Sequence, residues 1–528
     1  MTDLTESHTI RKLGNYERYS LARDTTGNPQ LITYVSTYSL PSTLPTADTL
    51  RARARILIGE YPLLRARVVD GRTTSPKWGL LTDEEVEKAL LGLIIDVDLA
   101  DLARHPAAES REAKDRTDLA GSSATLETVI SHALGIDKCI RVTSDGFLWQ
   151  ITRYRASANG SPAFLALTLN HVISDGKSGL ALFDALLTET EPIQKGPLDS
   201  PSLAEKFPRA LETTIDCRPG YQFMLGVIWN ELVIPQLPDF IAKRVKQTAC
   251  WPGVPRQKEA PDQRMYKHFS LDSQALPKLK ALGKRNEVNT LHPIFEIAAV
   301  VALWSLVVDP EQSSPLEVTH DTPISLREQS LSHPLISGNY AAGIEARVSC
   351  SPHGKQLFWQ ETRKYADWLL SGEGKQQAIQ KTGMLVHIPD KQNEVGNDSP
   401  VPTGWETFLV NKASRAPGSS LEVSNLGYLR QLPPSATNVA FAQTPHIFGA
   451  PFFVNAVGHQ GGVDFVVCWR EAAFVLDNDK KMDDFASAFE AVLRYLAEQN
   501  DGNQSVEHGN SLSFADIRKA VDDKPPLS

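Results

Sequence analysis

The sequence predicts an α/β protein built as two halves, each a mixed β-sheet with helices packed on it. Three observations predict it. Segments of strand period and helix period alternate within each half. A Pro- and turn-rich stretch breaks the pattern, from Glu191-Pro-Ile-Gln-Lys-Gly-Pro197 to Trp251-Pro-Gly-Val-Pro255 and on to Pro261. Beyond it the same mixture resumes, and the two halves echo one another loosely without a fixed-period repeat. The expected boundaries are 1–190 for the first subdomain, 191–262 for a connection with helical content of its own, and 263–528 for the second.

In the first half, Leu31-Ile-Thr-Tyr-Val-Ser-Thr-Tyr38 is β-rich, and Leu50 to Tyr61 has helical spacing of its apolar residues. Pro62-Leu-Leu-Arg-Ala-Arg-Val-Val69 reads as a second strand ending in an Asp70-Gly71 turn. Residues 83–92 read as a helix, 101–125 as a polar loop, and Leu126–Leu134 as a helix. Gly146–Tyr154 and Ala163–Leu169 are strands joined through Asn159-Gly160, a hairpin that delivers Asn170-His171 at its end. In the second half, Phe269-Ser-Leu is strand-like and Leu276–Leu282 is helical, with Pro277 tolerable only in the first turn. Leu291–Val308 is a helix apolar enough to be buried. A strand Glu317–Leu326, a helix Phe358–Leu370, a strand Ser420–Leu426, a hairpin about His459-Gln-Gly-Gly462 and a helix from about Met482 to Glu498 complete the expected elements.

Composition narrows the function classes. The chain has 528 residues, 41% of them hydrophobic, with ordinary Gly and Pro usage, which excludes disorder and low complexity as its main state. A formal net charge of −9 leaves no surplus of basic residues, so nucleic acid is not an expected partner. Cys139, Cys217, Cys250, Cys350 and Cys468 are an odd number, too widely spaced for a C-x-x-C pair or a metal-ligand cluster. With a polar N-terminus lacking the pattern of a secretory signal, they point to free thiols in a reducing, cytoplasmic setting. The most apolar window, Phe223–Leu237, contains Asn230, Glu231 and Pro235 and is too short to span a bilayer. It is expected to pack against its own domain, with contact to a membrane surface as the other reading.

The chemistry concentrates in Leu169-Asn-His-Val-Ile-Ser-Asp-Gly-Lys-Ser-Gly179. A histidine just after a buried strand, with Asp175-Gly176 and then an amphipathic helix (Leu180, Phe183, Leu187), stands on a rigid rim where it can act as a base. Two decoys fail. Gly176-Lys-Ser178 ends like a P-loop, but His171 stands where that motif needs a glycine. Gly176-Lys-Ser-Gly179 lacks the G-x-S-x-G spacing of a hydrolase elbow. For a lone histidine beside a turn, capping or packing is the ordinary role.

The surrounding motifs favour catalysis. H-x-x-x-D-G on a strand-to-helix turn resembles the CoA-dependent acyltransferase superfamily with the chloramphenicol acetyltransferase-like fold, and within it the fungal alcohol acetyltransferase-like family. The likeness runs along nearly the whole chain, through Arg11–Arg23, Leu50…Glu60-Tyr-Pro-Leu-Leu-Arg65, His171…Asp175-Gly176, Thr322-Pro-Ile-Ser-Leu-Arg327 and Val423-Ser-Asn-Leu-Gly427, in the expected order. It departs from two related branches. The D-F-G-W-G of plant BAHD acyltransferases is replaced by Asp464-Phe-Val-Val-Cys-Trp469, and the doubled histidine of condensation domains by Asn170-His171.

The resemblance implies two chloramphenicol acetyltransferase-like subdomains with an active-site channel between them, entered by acyl-CoA, most simply acetyl-CoA, from one side and by a small-molecule acceptor from the other. It implies that His171 takes the proton of the acceptor hydroxyl or amine, and that Asp175 pairs with Arg327 to keep the turn, with Gly176 in support. Ser424 or Asn425 is the candidate oxyanion donor or substrate-positioning group, their other reading being strand-end polar groups. The expected reaction is O-acetylation by direct attack, with no metal and no permanently bound cofactor, in a monomer. N-acylation, a condensation-like role and an inactive binding relative are the alternatives. Ser178, inside the helix start, reads as a capping residue and not as a nucleophile.

Overall fold

A computed structural model of the chain describes residues 9–523 apart from 103–124, 137–139, 143–145, 156–161, 189–204, 230–232, 239–240, 242–247, 258–262, 310, 312, 328–336, 391–402, 430–431, 472, 474–479 and 500–510. Most of the polar tract 101–125, the Asn159-Gly160 turn, Cys139 and parts of the 191–262 connection therefore lie outside the described residues.

Three sheets organise the chain. A small one joins β1 (Thr9–Lys12), β4 (Lys77–Leu80) and β3 (Ala66–Val69). The second has the order β12-β2-β7-β6-β5, with β2 Leu31–Tyr38, β5 Ile94–Asp98, β6 Trp149–Arg155, β7 Ala163–Asn170 and β12 Ala436–Gln443. Every residue of β7 is buried, as its central place requires. It pairs antiparallel with β2 over its full length, from Leu31↔Asn170 to Tyr38↔Ala163, and with β6 from Trp149↔Leu169 to Tyr154↔Phe164.

The third sheet has the order β10-β9-β11-β13-β14-β8, with β8 Arg264–Asp272, β9 Leu316–Ser325, β10 Ala341–Cys350, β11 Leu421–Tyr428, β13 Phe452–His459 and β14 Gly462–Arg470. Helices cover it. α8 (His292–Val307) is apolar on every side, starts with Pro293 where a missing N–H is harmless, and buries twelve residues without a gap from Pro293 to Trp304. Packed around it are α7 (Ala275–Arg285), α9 (Phe358–Leu370), α12 (Lys480–Glu498) and α13 (Phe514–Asp522), in one core with Phe465, Phe485 and Phe489. Each fully buried aliphatic or Phe side chain there contributes about 1.5–3 kcal/mol relative to exposure.

The helices of the first half are α1 (Asn15–Thr25), α2 (Ala47–Glu60), α3 (Asp83–Gly92), α4 (Leu126–Gly135) and α5 (Gly176–Leu187). α2 and α3 begin on Thr46 and Thr82, whose hydroxyls accept the N–H of the third residue on, and Glu85 returns the bond in a capping box. Three further helices are α6 (Tyr221–Ile228), α10 (Gly372–Gly383) and α11 (Gly404–Ala413).

Besides elements it did not anticipate, such as β10, α10 and α11, four features depart from the sequence reading. Pro62–Arg65 is a 3-10 turn and the strand starts only at Ala66, because Pro62 opens the turn and Arg65 faces inward, its guanidinium on the Leu81 carbonyl and 3.1 Å from Asp83. The strand expected from Gly146 starts at Trp149. β12, rich in small residues and not anticipated, crosses over to the edge of the sheet formed by the first half, paired with β2. The face it helps to form packs against the other large sheet: Leu31, Val35, Ala166, Ala440 and Ala442 share a core with Phe453, Val466 and Cys468. Finally, α6 packs only partly against its domain, with Phe223, Met224 and Val227 half-buried and Ile234 beyond it buried. None of its residues is buried, and Tyr221 and Leu225 are 84% and 66% exposed. No helix among the described residues is long and apolar enough to cross a membrane.

Candidate active site

β7 ends in a set of polar bonds that fix its last residues. Asn170 donates to Asp24 (2.8 Å) and to the Ile140 carbonyl (3.1 Å) and accepts the Val172 N–H (3.0 Å). The His171 N–H donates to the Gln30 carbonyl at 2.9 Å, which holds the residue beside the start of β2. The chain then meets the second half. Gly338 and Ile173 are joined by a bond from the Gly338 N–H to the Ile173 carbonyl (3.0 Å), and the Asp175 N–H donates to the Gly338 carbonyl (3.2 Å). Gly338 sits at φ +98°, and a Cβ there would run into the Tyr340 ring, so no other residue fits.

Asp175 caps α5. Its Oδ1 accepts the Ser178 N–H (2.9 Å) and its Oδ2 accepts the Tyr340 N–H (2.8 Å) and Arg327 Nη1. Arg327 follows β9, and its Nη2 bonds the Ser178 hydroxyl and the Gly338 carbonyl, each at 2.6 Å, with its guanidinium 4.7 Å from the Tyr340 ring centre. Burial pushes the Asp175 carboxyl upward, but Arg327 and the two backbone N–H groups outweigh it and hold the pKa below the ordinary 3.8. The Ser178 hydroxyl is buried and committed to the Gly338 carbonyl (2.7 Å). A Cβ on Gly176 would lie 2.5 Å from Leu426, because the end of β11 abuts the start of α5.

His171 itself is half-buried. The Asn339 amide donates to its carbonyl at 2.7 Å and lies 3.0 Å from Nδ1. The Asn339 amide thus fixes the Nδ1 edge of the ring, and among the described residues nothing hydrogen-bonds Nε2. Burial, and next the positive charge of Arg23, lower the imidazole pKa from 6.5 to about 4, so at neutral pH the ring is an unprotonated base.

Of the residues singled out in the sequence, His171, Asp175, Gly176 and Arg327 meet at one junction between the halves. Ser424 is buried and Asn425 half-buried on β11, near that junction through Leu426. Among the described residues no hydrogen bond ties either to His171, and the Asn425 side-chain carbonyl is taken by the Gly427 N–H (2.9 Å). The sequence carries no signal for Asn339 or for Tyr340, which contributes a backbone N–H. Arg23 closes the Arg11–Arg23 motif, whose pattern assigns it no role. Beside them stand His446, pushed well below 6.5 by burial and by Arg23, and Glu422, raised to about 7 by burial and by Asp321. A separate cavity of about 450 Å³, lined by Tyr16, Glu212, Cys217, Thr382 and Val386 among others, holds none of the predicted site residues.

Two sheet-and-helix subdomains, with an H-x-x-x-D-G turn from one locked by an arginine from the other, define the architectural class of two-subdomain acetyltransferases and condensation domains. The chain belongs to the alcohol acetyltransferase family, whose model matches residues 140–493. Solved structures share the fold at low identity. Trichothecene 15-O-acetyltransferase TRI3 from Fusarium sporotrichioides is 12% identical with a TM-score of 0.55, over 92% of this chain and 94% of that one. The epimerization domain of tyrocidine synthetase B is 12% identical with a TM-score of 0.53, over 94% and 98%. Polyketide synthase associated protein 5 from Mycobacterium tuberculosis is 13% identical with a TM-score of 0.51, over 92% and 99%. No curated protein matches the chain.

Proposed function

We propose that the protein transfers an acyl group, acetyl in the first instance, from acyl-CoA to the hydroxyl of a small or medium acceptor, with His171 as general base. The observation that carries this reading is the His171 imidazole, its Nδ1 edge held by the Asn339 amide and its Nε2 unengaged among the described residues, on a turn locked by Asp175 and Arg327. An alcohol is a weak nucleophile at neutral pH. Nε2 takes its proton as the oxygen bonds to the thioester carbonyl carbon, and a positioned base of this kind contributes roughly 10²–10⁴-fold. The carbonyl oxygen gains the charge. When the tetrahedral species collapses, the C–S bond breaks and the CoA thiolate takes the proton back from the imidazolium. Asp175 and Arg327 keep the turn without touching the reacting atoms.

No acyl-enzyme is needed, since Ser178 is buried and committed, and burial pushes the Cys217 and Cys468 thiols up to about 11 and about 12. The described cysteines are free and buried, which suits a reducing compartment such as the cytoplasm. The partly uncovered α6, apolar and without a charged residue, favours a peripheral contact with a lipid surface.

The test is a screen for released CoA, with acetyl-, propionyl- and longer acyl-CoA donors against a panel of alcohols and amines. Alcohol-dependent release, intersecting initial-rate patterns and no effect of chelators are expected. Release only with amines would move the reading to N-acylation. Ping-pong kinetics with a trapped acylated peptide would overturn direct attack.

A further inference from the structure

α1 brings a second charged group to the imidazole. The Arg23 side chain is buried, with the residue 4% exposed, and the rings of Tyr19 and Phe448 lie 5.7 and 5.9 Å from its guanidinium carbon. Its Nη1 donates to the side chain of Gln30, the residue whose carbonyl accepts the His171 N–H. Its Nε and Nη2 are buried and meet no acceptor among the described residues. Leaving charged donors buried and unpaired is costly, so such groups call for an acceptor that arrives with a ligand. No carboxylate among the described residues forms an ion pair with Arg23. The nearest route to one runs through amides, from Gln30 to Gln443 (3.2 Å) and from Gln443 to Glu422 (2.9 Å).

We propose that Arg23 is a catalytic residue: its free Nε–H and Nη2–H form the planar fork that receives the thioester oxygen as it becomes an oxyanion beside His171. The inference rests on the reading of His171 as the base. As the acceptor oxygen bonds to the carbonyl carbon and its proton passes to Nε2, the carbonyl π pair moves onto oxygen, where the fork meets it. The pair returns when the C–S bond breaks and the thiolate leaves with the proton. A guanidinium suits this because it is charged at all working pH values and offers two parallel donors to one oxygen. The same charge opposes protonation of the ring before substrate binds. The groups acting on the ring are Arg23 and Asp175, with His446 beside it; those acting on Arg23 are Tyr16, Tyr19 and Glu422.

Arg23→Gln and Arg23→Lys separate the two effects. Arg23→Gln is expected to lower kcat by roughly 10²–10³-fold with KM for acyl-CoA little changed. It should also move the acid limb of the pH profile upward, toward the ordinary histidine value. Arg23→Lys keeps the charge and the acid limb but loses the fork, and is expected to cost at least tenfold in kcat. Losses below tenfold in both variants overturn the proposal, as does a Ser424→Ala variant that alone loses the rate. Should Arg23→Gln fail to fold by circular dichroism, the tenfold threshold on Arg23→Lys decides. Full activity in His171→Ala defeats the base assignment, whereas an inactive His171→Ala with unaffected Arg23 variants defeats only the oxyanion assignment.

Discussion

At the scale of the residue, the site depends on a histidine that is kept neutral. Burial and Arg23 depress its pKa to about 4. The base form is therefore lost only as pH falls through that value, and kcat/KM is expected to stay level from neutral pH down to about pH 5. An acid limb near 6.5 would show that the ring is solvated in the working enzyme. Stability has the same sign. The unfolded chain binds the proton near 6.5 while the folded one does not until about 4, so stability falls as pH drops across that window. His171 and Asp175 could be picked out in the sequence because a strand, a turn and a helix place them four residues apart. Asn339 and Arg23 could not. Asn339 meets the ring, and the charge of Arg23 acts on it, from far along the chain, through packing that no local pattern encodes.

At the scale of the element, the H-x-x-x-D-G turn is held by Arg327 and Gly338–Tyr340, which lie between β9 and β10. Asp175 and Arg327 form a buried pair, and removing one partner strands the other. Asp175→Asn and Arg327→Ala are each expected to cost about 3–5 kcal/mol. Thermal midpoints of a double-mutant cycle should show losses well short of additive, whereas additive losses would mean that the pair does not act as a unit. Elements with a strong period were legible: β2, β7, α8 and α9 fall within a residue or two of their expected bounds. β12 was not, because Ala436-Thr-Asn-Val-Ala-Phe-Ala-Gln443 has weak strand preference and gains its place from β2 and the sheet behind it. α6 meets its expectation only in part, half-buried at Phe223, Met224 and Val227 and exposed at Tyr221 and Leu225. Its apolar residues suggested packing, but hydrophobicity alone does not say what covers a helix.

At the scale of the whole molecule, the proposed reaction centre lies where both halves meet, and the shared edge strand β12 fastens them together. The exposed face of α6 is a property of the assembled surface. Sedimentation with phosphatidylcholine vesicles is expected to carry down part of the protein, and Leu225→Glu should reduce that part several-fold. Wild-type protein that stays wholly in the supernatant would contradict a lipid contact. The central claim is transfer at His171, and the direct measurement is alcohol-dependent CoA release from acetyl-CoA by wild-type protein and by His171→Ala, with circular dichroism on both. The account predicts release by the wild type and a loss of roughly 10²–10⁴-fold in a variant that keeps the native spectrum. Transfer at the wild-type rate by folded His171→Ala would contradict it.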